Sequence, residues 1–253
     1  MPIAPRNPRR AILSARPAHP RGAPAGAAAP RSGTRRGQRV NSKHRPAHNS
    51  SERRVLKTER LILRPPIAED FEGWAAFSRD PKTMLYLGGP QVREIAWRAF
   101  ATMAGCWALC GFGMFSVIER RSGQWIGRVG PWRPEGWPGN EVGWGIRSEF
   151  EGQGYAYEAA VAAIDWVFDV LGWDSVIHCI PEINLRSKAL AERLGSTCQR
   201  LVVLPPPAGT QVWIWGQARE QWRVARHAAA RGSAREETSR AAAPRARHRV
   251  RSP

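Results

Sequence analysis

The sequence predicts a layered α/β (α+β) domain: a mixed central sheet of about seven strands flanked by four helices, between disordered basic ends. Three observations carry this. First, of a formal charge of +18, residues 1–54 hold +12 and residues 221–253 hold +7, which leaves −1 for residues 55–220. Second, every Trp, Tyr and Phe lies between Phe71 and Trp222. The residues that build a core are therefore confined to one stretch, and residues 55–220 are long enough for one domain. Third, the apolar period in that stretch switches between two and 3.6, in the order β-α-α-β-β-β-α-β-α-β-β. Residues 1–54 and 221–253 carry too little apolar surface to offset their ordering entropy and are expected to be disordered.

Leu56 to Arg64 reads as a first strand, stopped by Pro65-Pro66, since prolines cannot continue a ladder. Glu69, Asp70 and Glu72 open a helix whose apolar face is Phe71, Trp74 and Phe77, and Asp80-Pro81 ends it. A second helix is expected over 91–110, after the break at Gly88-Gly89-Pro90. Met114–Ile118 and Gln124–Val129 are strands of a hairpin with turn residues at 120–123. A loop rich in Pro, Gly and Trp leads to the strand Glu141–Ile146. Ala156, Ala159, Ala160, Ala163, Ile164, Val167 and Phe168 then form a helical stripe. Ser175–Ile180 is a buried strand, Leu185–Leu194 a short helix, and 201–204 and 211–215 are two closing strands.

The stretch Glu151-Gly152-Gln153-Gly154-Tyr155-Ala156 joins a strand to the striped helix. Glycine lets backbone curl close to a ligand, and the first N–H groups of a helix have no internal partner. Two readings stand on spacing alone: an anion site at a helix start, or a turn that only begins a helix.

Other chemistries are poorly served. The four cysteines form no CxxC pair and the stretch 55–220 holds a single histidine, His178, so no metal site is expected. His178, on an apolar strand, reads as a core histidine. There is no GxSxG, GxxxxGK[ST] or HExxH motif. No apolar run approaches the ~20 residues that span a bilayer, and no apolar signal core is present, so a cytoplasmic protein is expected, with no membrane partner. The Arg-rich ends admit three readings: attraction to nucleic acid or ribosomes, an organelle-targeting segment, or solvated low-complexity tails.

The order of elements and three motifs together resemble the GNAT superfamily of N-acetyltransferases, in particular the branch that includes the ribosomal-protein N-terminal acetyltransferases. The motifs are Thr58–Pro65 with Glu69-Asp70, the strand Glu141–Ile146 with the glycine turn, and Asn184-Leu185-Arg186-Ser187 followed by Ala191–Gly195. The resemblance covers about 56–218. It implies acetyl-CoA as donor and transfer of the acetyl group to a primary amine. It places the pyrophosphate on backbone at Gly152, Gln153, Gly154, Tyr155 and Ala156, and the pantetheine along Trp144, Gly145 and Ile146, where the sheet is expected to splay. Asn184 and Ser187 complete the donor contacts. Glu151 stands where the family has Gln or Arg, Ala191 where many members have Tyr, and Ser196 where they have an aromatic residue. The turn is therefore expected to rest on backbone N–H groups, with Glu151 pointing away.

Glu141 is the candidate general base, directly or through water. An ordinary carboxylate is a weak base, so burial among Trp residues has to raise its pKa. Ser187 is the candidate for contacting the departing sulfur, and Trp132 and Trp137 for lining the acceptor cleft. A protein α-amine is easier to deprotonate than lysine by about 2.4 pKa units, roughly 3.3 kcal/mol. The acceptor is accordingly expected to be a protein N-terminus or a small amine. The competing expectation is an acetyl-CoA-binding module that lacks catalysis and engages nucleic acid or ribosomes through its tails.

Overall fold

A computed structural model describes residues 54–228, and the expected tails at 1–53 and 229–253 lie outside the described residues. The domain is built on one mixed sheet. Its strands are β1 (Leu56–Lys57), β2 (Leu61–Arg64), β3 (Phe115–Glu119), β4 (Trp125–Trp132), β5 (Glu141–Ile146), β6 (Ser175–Ile180), β7 (Thr197–Val203) and β8 (Gln211–Ala218). They lie in the order β1-β2-β3-β4-β5-β6-β8-β7. Only β5 and β6 pair in parallel; all other neighbours are antiparallel. The helices are α1 (Phe71–Arg79), α2 (Pro81–Met84), α3 (Arg93–Leu109), α4 (Tyr155–Asp169), α5 (Leu185–Arg193) and α6, over 219–228.

Eight strands stand where about seven are expected, because the first segment folds on itself. Thr58 to Arg60 turns it, and Leu56 pairs back onto Leu63. The turn is held from a distance: Glu158 of α4 accepts from Thr58 Oγ1 at 2.5 Å and from the Arg60 N–H at 2.9 Å. Such a partner leaves no trace in local sequence. The helices exceed four for two local reasons. Asp80 ends α1 in an extended conformation, as a residue before proline prefers. Its carboxylate then caps α2 by accepting from the Lys82 and Thr83 N–H groups, with Pro81 in the first helical position. At the other end, the boundary expected at 220 falls inside α6. Trp222 is buried and donates to Asp165 of α4 at 2.7 Å, so residues 221–228 belong to the domain.

Apolar clusters cover the two faces of the sheet, with a small third one of Ile180, Ala191 and Trp215 under α5. On one face, Phe71, Trp74 and Phe77 of α1 and Ala96, Phe100 and Met103 of α3 pack with Met114 and Trp125. On the other, the alanine stripe of α4 lets that helix lie close to β4 and β5, against Val129, Val142 and Ile146. A buried polar knot ties the first face together. Asp70 accepts both terminal nitrogens of Arg64 at 2.7 Å each and the Ser116 hydroxyl at 2.7 Å. Against the burial of the Asp70 carboxyl, which raises its pKa, these bonds and one from the Ile67 N–H at 3.0 Å hold it below the usual carboxylate range.

Candidate functional site

The site lies where β5 and β6 part. Their parallel ladder registers at one pair, Glu141 with Ile177, and the Ile177 N–H donates to the Asn140 carbonyl at 2.9 Å. In an evenly spaced parallel ladder the next such bond would run from the Cys179 N–H to the Val142 carbonyl. Both groups are engaged by side chains instead. The Cys179 N–H donates to Glu141 Oε1 at 3.3 Å, and His178 Nδ1 bonds the Val142 carbonyl at 2.7 Å. These two groups keep partners, and the ladder stops.

His178 is a core histidine, as the sequence suggests. It is 1% exposed, and burial pushes its pKa down to about 4. A carbonyl can only accept, so Nδ1 carries the proton. Nε2 is then the acceptor for the Ser196 hydroxyl at 3.0 Å, and Gln217 Nε2 donates to Ser196 Oγ at 3.1 Å. The Val142 carbonyl thus fixes the tautomer, and Ser196, at a position where the resembled family has an aromatic residue, satisfies the other ring nitrogen.

Side-chain alternation along β5 places its residues on opposite faces. Glu141, Gly143 and Gly145 face α1 and α2. A Cβ on Gly145 would lie 2.9 Å from the rigid Phe77 ring, so this position needs glycine for close packing, whereas one on Gly143 would lie 2.6 Å from Met114 Cε, the flexible tip of a side chain that can shift. Val142, Trp144 and Ile146 face the other way. The Trp144 indole lies 4.7 Å from the His178 ring and donates to Ser187 Oγ at 3.1 Å. Glu141 and Ser187 therefore stand on opposite sides of the opening.

Glu141 is 7% exposed. Burial raises its pKa, against the Cys179 and Trp137 bonds and the positive charge of Arg128, which lower it. Trp137 Nε1 donates to Glu141 Oε2 at 2.6 Å. Trp132 is the cross-strand neighbour of Glu141 and meets Trp137 edge-on, with ring centres 6.3 Å apart. The structure thus brings together Trp132, Trp137 and Glu141. Cys179, which the sequence does not single out, joins them: burial and the adjacent Glu141 charge push its thiol well up.

At the far end of β5 the glycine turn opens α4. Gly154 is the N-cap residue at φ +82°, a left-handed conformation that favours glycine. The first helical bond is from the Glu158 N–H to the Gly154 carbonyl at 3.1 Å, which leaves the N–H groups of Tyr155, Ala156 and Tyr157 without a partner inside the helix. The Tyr155 ring is buried, with its hydroxyl on Glu119 Oε1 at 2.5 Å, so this residue offers a ligand only its backbone. Gln153 turns its side chain to the Glu149 carbonyl. Glu151 pairs with Arg186 of α5, turned to a partner of its own. Gly152, at φ +74°, has open space about it.

Sequence reasoning misses Arg60, 93 residues before Gln153. Its Nη1 donates to the Gln153 carbonyl at 2.9 Å, its Nε to Glu158 Oε2 at 2.7 Å, and its Cζ lies 4.6 Å over the Tyr155 ring. This side chain fastens the turn to the β1–β2 hairpin. Across the opening, Asn184 caps α5 by accepting the Ser187 N–H at 3.1 Å, as its sequence position predicts. Ser187 is thereby placed by its backbone bond to Asn184 and its hydroxyl bond to Trp144. Among the described residues no group of His, Cys, Asp and Glu side chains could hold a metal, and no helix is long and apolar enough to cross a membrane.

A sheet parted beside a helix start with free N–H groups can receive a long, thin, anionic ligand. The sequence matches the acetyltransferase (GNAT) domain over residues 60–197. An acetyltransferase structure from Agrobacterium tumefaciens is 32% identical, with a TM-score of 0.59, and covers 65% of this chain and 94% of its own. A GNAT-family structure from Bordetella pertussis is 29% identical, with a TM-score of 0.56, over 65% of this chain and 99% of its own. The uncharacterized N-acetyltransferase YnaD of Bacillus subtilis is 25% identical over 172 residues, 66% of this chain and 98% of its own length. The chain belongs to the GNAT acetyltransferase family and is an acetyl-transferring enzyme.

Proposed function

We propose that this enzyme transfers the acetyl group of acetyl-CoA to a primary amine by direct attack on the thioester. The observation that carries the reading is the ladder interrupted between β5 and β6, with Glu141 on one side and Ser187 on the other. Acetyl-CoA fits it in outline. Pantetheine is narrow enough to lie along Trp144, Gly145 and Ile146. The pyrophosphate belongs at the unpaired N–H groups of Tyr155 and Ala156, with the glycines of the turn allowing close approach.

In this reading the amine reaches the thioester from the α1–α2 side. Glu141, directly or through water, takes the amine proton as the nitrogen–carbon bond forms. Its raised pKa makes it a stronger base than a solvated carboxylate. The carbon–sulfur bond breaks, and the thiolate leaves on the Ser187 side. With one lone pair taken by the Trp144 indole, the Ser187 hydroxyl keeps its own hydrogen for the sulfur. It orients or relays a proton and is too weak an acid to be its ultimate source. Trp132 and Trp137 line the acceptor side. The acceptor is a protein N-terminus or a small amine, and an α-amine suits a carboxylate base better than lysine does.

Thiol release from acetyl-CoA, measured with free N-terminal peptides, small amines and an internal-lysine peptide, tests this. Release with the first two groups is expected. Binding of acetyl-CoA without release on any amine would establish a binding module, and release on the lysine peptide alone would overturn the acceptor class.

A further inference from the structure

Arg128 is left unused by the reading above. It lies on β4 directly opposite Gly145, beside α1: its Cζ is 5.5 Å from the centre of the Trp74 ring and 5.9 Å from that of Phe77. Its Nη1 has the thioether sulfur of Met114 as partner, and its Nε is buried with no hydrogen-bond partner. Among the described residues no carboxylate pairs with it. Arg64, also partly buried, shows the alternative within the same domain, since Asp70 takes both of its terminal nitrogens. A buried donor left unsatisfied costs about 1–3 kcal/mol, and a thioether is a weak acceptor. The residue as a whole is partly exposed, and since its Nε is buried a ligand has to approach by the terminal nitrogens.

Met114 connects this arginine to the candidate base. Its sulfur meets Arg128, its Cε lies over Gly143, and Glu141 Oε1 approaches the same point over Gly143 to within 3.4 Å. Arg128, Met114 and Glu141 therefore succeed one another over a strand floor of glycines. The charges of Arg128 and Glu141 act on each other without an ion pair forming. The middle member is a flexible side chain that adapts easily to a new neighbour.

We propose that Arg128 binds a carboxylate on the acceptor, so that the acceptor is an amine bearing a carboxylate, with its amine toward Glu141 and its carboxylate in the place of the Met114 sulfur. The inference rests on the reading of Glu141 as base. The complementarity is twofold. A guanidinium takes a carboxylate through two parallel N–H···O bonds, and a zwitterion offers each of the two protein charges its opposite. Two sources share this chemistry, a free amino acid and a peptide whose first side chain is acidic.

The test compares matched pairs that differ only in the carboxylate: phenylalanine with phenethylamine, and a short peptide beginning with Glu with its Gln counterpart. Thiol release should favour the carboxylate member of at least one pair by ~10-fold or more in kcat/KM; which pair responds identifies the source. Arg128→Gln should bring that ratio to about one through KM, and Arg128→Lys should keep part of it. The melting temperature and the KM for acetyl-CoA report whether each variant is folded. A wild-type ratio near one in both pairs, or an equal loss on both members in Arg128→Gln, overturns the proposal. Calorimetric titration of the same pairs onto the CoA-bound protein separates the two readings. If no amine releases thiol, the proposed transfer fails, while an Arg128-dependent preference in binding still upholds the carboxylate site; no preference in binding then overturns it as well.

Discussion

Trp137 donates its indole N–H to Glu141 Oε2 at 2.6 Å, while the other oxygen of the same carboxylate takes the Cys179 N–H. One side chain from the Pro- and Gly-rich loop thus holds the candidate base from the acceptor side, and the backbone of β6 holds it from the other. Both bonds favour the ionised form and oppose the burial that raises the Glu141 pKa.

Glu141→Gln should lower kcat by about 100-fold or more, a typical loss for a general base. In the wild type, kcat/KM should fall as pH drops through the raised Glu141 pKa. Trp137→Phe removes a bond to the ionised form, so the acid limb of its pH–rate profile should move to higher pH. An unmoved limb would separate Trp137 from the base.

The same burial has a stability consequence of opposite sign. A carboxyl whose folded pKa lies above its unfolded value contributes stability below the unfolded pKa, and loses it as pH rises through the folded one. Glu141→Gln should therefore melt at a higher temperature than wild type at pH 8, with the difference shrinking in acid. Thermal melts at the two pH values check this.

His178 predicts a separate pH dependence. Its folded pKa of about 4 lies below the ordinary 6.5, so the unfolded chain binds a proton that the folded chain refuses. Stability should fall as pH drops from about 6.5 to about 4, by on the order of 3 kcal/mol. Denaturant melts at pH 7 and pH 5 measure the slope, and His178→Gln should lack it.

Gly154→Ala places a side chain in a left-handed conformation, at a cost of roughly 1–2 kcal/mol, and its Cβ would come within 3.4 Å of Arg60 Nη2. The KM for acetyl-CoA should rise several-fold with a smaller change in kcat. Ser187→Ala should do the reverse, lowering kcat more than donor affinity. Trp144→Phe, which removes the indole N–H but keeps a ring beside His178, should reproduce part of the Ser187→Ala loss. Initial rates across acetyl-CoA concentrations distinguish the three.

The sequence makes legible whatever has a short period or a local cap. The alanine stripe of α4, the Asn184 cap and the alternation around Glu141 all lie within one element or its ends. What it hides depends on distant partners. The turn at Thr58–Arg60 answers to Glu158, the conformation of His178 to Ser196 and Gln217, and α6 to Asp165 through Trp222. The aromatic content up to Trp222 is the one local sign that the domain runs past residue 220. Arg128 reads as an ordinary strand residue until Gly145 and Gly143 are seen beneath it, because an arginine without a carboxylate is recognisable only when its neighbours are known.

The single rung between Glu141 and Ile177 divides the sheet into two half-sheets, β1 to β5 and β6 to β8, hinged at one end. An unpaired strand margin exposed at the rim of a sheet invites another protein to add to it. Here the margin faces inward, across a wedge whose far side is its own chain. Such a wedge would suit a thread better than a folded neighbour. In the proposed reading the donor is that thread, and its arrival should couple the two half-sheets mechanically. Slower amide exchange in β5 and β6 together would be its signature.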